Sequence, residues 1–437
     1  MIPKPDSSEK GPLGIPTMLD RAVQAVYHMA IDPVVECQSD PNSYGFRKYR
    51  STHDAITRLR TLLDKDNSPQ WMLDADVAKC FDQISHAFLI TRTPICDKDV
   101  LESWLKSGVM NGVELAPTEV GTPQGGIISP LLCNIALNGL EHAVKTSVGR
   151  SDYQKKLGSR PKVHTTRYAD DFIITGVNEG LLTRQVRPAV EKFLDERNLK
   201  LKEAKTRIIH IEEGVDFLGF NLRRHPYRPE LNKAPSRLDK DNQKGKTVLI
   251  IRPSKNNVER LVGKIRKIIV PARPIEYIIR DLNPILRGWA EYFRISYHSV
   301  EVMGKLGHYI WTKMWIWARK RHSKKNAEWI YKRYVNASTD RKWRFGASPE
   351  ASIYDLSTVT HWKLTPMKQD INPYTEEGEL YYEARRKDMG AAKFRSAVYR
   401  KYKYRCPECG DTLHGEEPVE LHPSYYPRGP RRQVDAG

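Results

Sequence analysis

The chain has 437 residues, room for about two to four domains, and 39% of them are hydrophobic, which excludes a disordered arm. Lysine and arginine outnumber aspartate and glutamate by 72 to 53, a net charge of +19 that points to a polyanionic partner. Six cysteines in such a length make no disulfide framework, no stretch approaches the roughly 20 apolar residues that span a bilayer, and the first ten residues lack the apolar run of a signal peptide. A reducing, soluble compartment is expected.

Taken in chain order, residues 17–31 have the apolar spacing of a helix, with Thr17 and Asp20 as a capping start. Residues 71–82 alternate as a strand, so Asp74 and Asp76 share one face. Gly121-Thr-Pro-Gln-Gly-Gly126 is a glycine-rich turn whose backbone can approach a substrate closely. Ser129-Pro130 opens a helix expected over 129–142. Residues 165–176 predict strand, tight turn and strand with Asp170 and Asp171 at the tip. An amphipathic helix over 183–200 and a strand over 215–222 follow. Between 223 and 255 the pattern breaks into a polar, Pro/Gly-punctuated linker with a short hairpin near Thr247–Arg252. Residues 256–335 are helical in pattern and rich in Lys, Arg, Trp and Tyr, a mixture suited to nucleic-acid backbone and base stacking. At helical spacing most of Trp289, Trp311, Trp315 and Trp317 are expected in the bundle core.

Two adjacent carboxylates at a hairpin tip repel unless something neutralises them. A solvated turn is the plainer reading of a bare Asp-Asp pair. A second acidic strand shifts the balance towards a divalent cation, because one of its acids can meet the tip and complete a cage. Magnesium favours one or two carboxylates plus substrate phosphates, and two such ions about 3.5–4 Å apart serve phosphoryl transfer. Spacing alone leaves both Asp74 and Asp76 open.

Eight blocks in order carry a family resemblance. They are Gly11-Pro-Leu-Gly-Ile-Pro-Thr-Met-Leu-Asp-Arg21, Ser43 to Ile56, Leu73 to His86, Gly121 to Asn134, Tyr168-Ala-Asp-Asp171, Leu199-Lys-Leu-Lys-Glu-Ala-Lys-Thr206, Phe217-Leu-Gly-Phe220 and Ile285-Leu-Arg-Gly-Trp-Ala-Glu-Tyr-Phe293. Together they resemble the group II intron-encoded reverse transcriptases and maturases over roughly the first three hundred residues. The resemblance implies an α+β right-hand polymerase with fingers and palm, then an α-helical thumb that doubles as the maturase domain. It puts Asp76, Asp170 and Asp171 on two Mg²⁺ ions as the catalytic acids, choosing Asp76 over Asp74 because Phe81 lies five residues on. Phe81 would sit under the sugar of the incoming nucleotide and exclude a 2′-hydroxyl. Gln124 would contact template base or nucleotide, and Lys4 and Lys10 the triphosphate. Lys10 departs from the arginine common there, exchanging a bidentate fork for a point charge. Arg47 and Arg50 would contact template backbone or the fingers core.

Two departures accompany the resemblance. The chain opens at the first block, where these proteins normally carry an N-terminal extension, so an N-terminal truncation is expected. The tail resembles the opening of an HNH-type endonuclease, but Cys406 and Cys409 are joined only by His414 or His422, short of the full ligand set of a zinc site. A nuclease remnant, with at most a partial Zn²⁺ site, is expected.

The expected layout is fingers and palm over 1–222, linker over 223–255, thumb over 256–340, a DNA-binding or linker region over 341–400 and the remnant over 401–437. The expected function is RNA-directed DNA polymerisation together with assistance to group II intron splicing and mobility. Its partners would be intron RNA, an RNA template with a DNA primer, and dNTPs, with no membrane. The setting would be bacterial cytoplasm, or the matrix or stroma of an organelle. The rival is an RNA-binding splicing factor without polymerase activity; a diversity-generating or retron enzyme fits the glycine loop and the long thumb less well.

Overall fold

A computed structural model describes residues 2–3, 10–11, 16–65, 67–111, 114–116, 120–122, 125–149, 161–226, 247–336, 344–346, 351–388 and 402. Strands β1 (Ile2–Pro3) and β2 (Lys10–Gly11) pair antiparallel. Helix α1 (Met18–Gln38) starts at Thr17, whose hydroxyl accepts the Asp20 N–H, and runs on through Pro33 beyond its expected end. Helix α2 (Thr52–Leu63) has a reciprocal cap: the Ser51 hydroxyl accepts from Asp54 N–H, and the Asp54 carboxylate accepts from Ser51 N–H at 2.9 Å.

Strand β3 (Trp71–Asp76) leads into short helices α3 (Cys80–Gln83), α4 (His86–Arg92) and α5 (Lys98–Lys106), then a small hairpin of β4 (Val109–Asn111) and β5 (Glu114–Ala116). The helix expected over 129–142 is two, α6 (Ser129–Leu137) and α7 (Leu140–Ser147). They break at Gly139, whose φ of 93° only glycine adopts easily. Strands β6 (His164–Tyr168) and β7 (Asp171–Gly176) form the predicted hairpin. The helix expected over 183–200 ends earlier: a π turn, Leu182–Val186, runs into α8 (Arg187–Asp195). Strand β8 (Arg207–His210) completes an antiparallel sheet of order β6-β7-β3-β8.

The two faces of this sheet feed two cores. Leu73, Ala75, Phe172 and Ile174 point into one, shared with Ile31 of α1, Leu132 of α6, Leu140 of α7 and Leu194 of α8. Met72, Ile173 and Ile209 point into the other, with Ile56 and Leu59 of α2. That second core runs on into the carboxyl-terminal half, so the helices beyond residue 254 are packed onto the sheet that carries the acids.

The expected strand over 215–222 is split by a turn at Leu218-Gly219 into β9 (Val215–Phe217) and β10 (Phe220–Pro226). Strand β11 (Thr247–Pro253) pairs along all of β10, from Phe220↔Pro253 to Pro226↔Thr247. Both ends of the expected linker are therefore sheet, and the hairpin expected near Thr247–Arg252 is a long-range pairing with β10. Four helices follow: α9 (Lys255–Ile268), α10 (Ile275–Phe293), α11 (Tyr297–Arg321) and α12 (Ala327–Tyr334). Trp317 is buried and donates its Nε1–H to Arg273 O at 3.1 Å, while Trp289, Trp311 and Trp315 pack half-buried against the same core. The tryptophans thus serve the bundle as their spacing predicted.

Strands β12 (Val335–Asn336) and β13 (Arg344–Phe345) pair beyond the bundle. Residues 351–388 then run back across the molecule to α13 (Glu376–Asp388). Trp362 meets His53 edge-on, Arg60 donates to Leu364 O at 3.2 Å, Gln369 donates to Asn42 at 2.6 Å, and Arg385 pairs with Asp54 of α2.

Candidate active site

The β6–β7 turn has a left-handed residue, Ala169, at φ 56°. A tight two-strand turn needs such a residue, and here neighbours hold it. Ser43 bridges to Arg167 as a short parallel strand, with Tyr44 N–H donating to Arg167 O at 2.8 Å. Gly45 follows against the turn, so closely that a Cβ there would lie 2.3 Å from Ala169 N. Beneath, the wholly buried Arg167 guanidinium donates to Asn134 Oδ1, Ala169 O and Asn138 Oδ1 at 3.1–3.2 Å. Its burial pushes its pKa down, and Asp40 opposes that shift.

Register sets the two acids of β3 apart. Asp76 lies directly across from Asp171, and Asp74 across from Ile173. Val77 N–H donates to Asp170 O at 3.2 Å, tying the end of β3 to the turn. On the other side of β3 the sequence Lys205-Thr206-Arg207 meets Asp74-Ala75-Asp76 in antiparallel sense. Lys205 Nζ donates to Asp76 Oδ2 at 2.7 Å, and Arg207 Nη2 to Asp74 Oδ2 at 2.9 Å.

The site is short of positive charge. Burial first, then the charges of Asp74, Asp76 and Asp170, push the Asp171 carboxyl up to about 7. Burial and Asp76 also raise Asp170. Burial raises Asp74 against the opposing hydrogen bond from Arg207. The bond to Asp76 raises Lys205 above its ordinary value. Hard carboxylate oxygens carrying uncompensated charge fit Mg²⁺ in donor chemistry. Among the described residues, however, no three His, Cys, Asp or Glu side chains reach metal-ligand spacing. The expected cage is thus a neighbourhood of acids in which Lys205 and Arg207 occupy one oxygen each.

Phe81 is half-buried and packs against the core on the Leu73 face of the sheet. Its ring meets Phe46 edge-on at 6.3 Å between centroids. Its backbone carries the glycine loop: Thr122 N–H donates to Phe81 O at 2.5 Å, and Gly121 N–H to Ile84 O at 2.9 Å. At Gly121, φ is 87° and a Cβ would lie 2.6 Å from Phe81 O, so the loop can seat only with glycine there. Lys4, Gln124, Cys406 and Cys409 lie outside the described residues, and of Lys10 only the backbone in β2 is described. Arg47 and Arg50 are buried structural groups: Arg47 grips Glu36 at 2.6 and 2.7 Å, and Arg50 donates to Pro41 O at 2.7 Å. Of the two roles open to them, they take the fingers core.

Sequence reasoning passed over Arg167, Gly45, Lys205 and Arg207. Only the last two left a usable signal, a basic-x-basic repeat opening a strand able to pair with an acid-x-acid strand.

A profile of the family described as reverse transcriptase (RNA-dependent DNA polymerase) matches residues 2–222, just over half of the chain. The chain belongs to the reverse transcriptase family. Its fold is the mixed helix-and-strand reverse transcriptase fold followed by a helical region. Residues 258–335 of this chain match a second profile, the group II intron maturase-specific domain. The group II intron-encoded protein LtrA of Lactococcus lactis subsp. cremoris is 27% identical over 365 residues, covering 68% of this chain and 60% of that protein. Protein YkfC of Escherichia coli K12 is 32% identical over 256 residues, covering 51% of this chain and 65% of YkfC. The putative COX1/OXI3 intron 1 protein of Saccharomyces cerevisiae is 30% identical over 268 residues, covering 51% and 32% respectively. The chain thus spans about 60% of the length of LtrA.

Proposed function

We propose that this chain is an RNA-directed DNA polymerase that also binds a group II intron RNA and assists its splicing and mobility. The observation that carries the polymerase reading is the juxtaposition of Asp76 with the Asp170–Asp171 turn, where burial first, and then the charges of Asp74, Asp76 and Asp170, hold Asp171 up to about 7. Asp76, Asp170 and Asp171 would hold Mg²⁺, which when bound supplies charge neutralisation at the attacking 3′-oxygen and the α-phosphate. Asp76 ends β3 and Asp170 lies in the β6–β7 turn, and Asp171 would support them from across the ladder. Lys205 keeps Asp76 oriented and, once released from it, is a cation for the pyrophosphate leaving group. Phe81, braced by Phe46 and the 121–122 loop, would bear on the sugar and favour a 2′-deoxynucleotide. Lys4, Lys10 and Gln124 are proposed for the triphosphate and the template-side contact.

The palm and fingers would occupy 1–222 and the thumb 256–340, with 258–335 carrying the intron contacts. Basic residues on phosphates supply most RNA affinity. No helix among the described residues is long and apolar enough to cross a membrane, and a bacterial cytoplasm or organellar interior suits the substrates. The second reading, a splicing factor without polymerase activity, draws on Lys205, which occupies Asp76.

One preparation separates the two readings. The chain is given an RNA template annealed to a DNA primer with dNTPs and Mg²⁺, and in parallel a self-splicing intron RNA at low Mg²⁺. Extended primer together with accelerated splicing is expected. Splicing without extension would establish the second reading, and neither activity would overturn both.

A further inference from the structure

Between α11 and the chain at 344–357 lies a half-open cavity of about 330 Å³. Its depth comes from two small residues one turn apart on α11, Gly304 and Gly307. A Cβ at Gly304 would meet nothing within 4 Å, and one at Gly307 would touch Ser357 N at 3.4 Å. A glycine inside a helix costs stability of roughly 1 kcal/mol relative to alanine, so two on one face need a reason. Here they clear a slot.

The walls are flat and aromatic. Trp311 lies on one side, stacked at 5.7 Å and 5° on Trp315 behind it, with Phe345 edge-on. Tyr354 also lines the slot, under the Arg287 guanidinium at 5.6 Å. Two donors that line the slot lack acceptors. Trp311 Nε1 and Arg344 Nε are buried and have no hydrogen-bond partner among the described residues. The one carboxylate, Asp355, is already engaged by Ser357 N–H at 2.9 Å and the Ser357 hydroxyl at 2.6 Å. Helix α11 carries five lysines and arginines against a single glutamate. The slot therefore asks for a flat ring with acceptor atoms, attached to a polyanion.

We propose that this cavity captures one unstacked nucleobase of a single-stranded RNA segment, with Trp311 and Tyr354 at its faces and Trp311 Nε1 and Arg344 Nε donating to its ring acceptors. The inference rests on the RNA-binding reading above and adds where and how a base is taken. A base held in a duplex is stacked on both sides and cannot enter, so the site selects loops, bulges or ends.

The test uses the full chain and a short oligoribonucleotide carrying one 2-aminopurine, compared with its duplexed form and with an abasic version. Trp311 and Trp315 should quench the probe in the single strand and not in the duplex, and the abasic version should bind about tenfold more weakly, the scale of one base–aromatic stack. Gly304→Leu fills the slot from a helical position with open space, so its melting temperature should hold or rise while the quench and about tenfold of affinity are lost. Equal binding of intact and abasic strands, with no effect of Gly304→Leu, would reduce this face to a phosphate contact and overturn the proposal. Should the chain bind no RNA, the RNA-binding reading fails by itself and free 2-aminopurine riboside decides the slot. Quenching by the wild type but not by Gly304→Leu would uphold a base site, and quenching by neither would overturn it.

Discussion

Gly45 shows how much of the site rests on single atoms. A Cβ there would lie 2.3 Å from Ala169 N, a backbone atom that cannot swing aside. Gly45→Ala should therefore displace the Asp170–Asp171 turn and reduce nucleotide addition to background, while circular dichroism and RNA affinity stay near wild type. Asp171 makes a second test, through pH. In the fold it keeps its proton up to about 7, whereas the free side chain loses it near 3.8. Because the folded value is the raised one, its stabilising contribution is complete below the unfolded value and is lost as pH climbs through about 7. Asp171→Asn cannot lose that proton. Its melting temperature, measured without Mg²⁺, should gain on the wild type between about pH 5 and about pH 8. For Phe81, braced by Phe46, Phe81→Ala should raise the ratio of ribonucleotide to deoxynucleotide incorporation on one template. An unchanged ratio in an active variant would return Phe81 to core packing.

Elements show what local pattern can and cannot specify. Strand β3 and the β6–β7 hairpin were legible because alternation and an acidic turn are local signals. The choice between Asp74 and Asp76 lies in strand register, set by how β7 enters the ladder, so spacing left it open. The break between α6 and α7 was marked by Gly139, but the apolar run on either side masked it. The split at Leu218-Gly219 was hidden in the same way. Residues 351–388 gave no periodic signal, because they dock through separate polar contacts with residues some three hundred positions away. The strongest is Arg385 on Asp54, whose side chains are 7% and 1% exposed. Removing one partner of such a pair strands a buried charge, at a cost of about 3–5 kcal/mol. Asp54 keeps its bonds to Ser51, which places Arg385→Ala near the lower end, about 3 kcal/mol. Denaturant unfolding measures the loss, and limited proteolysis should show 351–388 cut first.

At the scale of the whole molecule, one sheet serves two cores. Its Leu73 face is closed by α1, α6, α7 and α8, and the core on its Met72 face is continuous with that of the β9–β11 sheet and the helical bundle. The carboxyl-terminal return over α2 adds a second tie between thumb and fingers. For the polymerase proposed above, such a frame would hold a template-primer against fixed carboxylates, and the positive charge would suit an RNA that is bound as well as copied. Asp76, and not Asp74, is proposed to complete the acid centre with Asp170. The direct measurement is primer extension on an RNA template in Mg²⁺ with Asp76→Ala, Asp170→Ala and Asp74→Ala side by side, each checked for RNA affinity. The account predicts extension at background for Asp76→Ala and Asp170→Ala, measurable extension for Asp74→Ala, and RNA affinity within about twofold of wild type in all three, because phosphate contacts and not the acids hold the RNA. Extension near wild type in Asp76→Ala with loss in Asp74→Ala would contradict it.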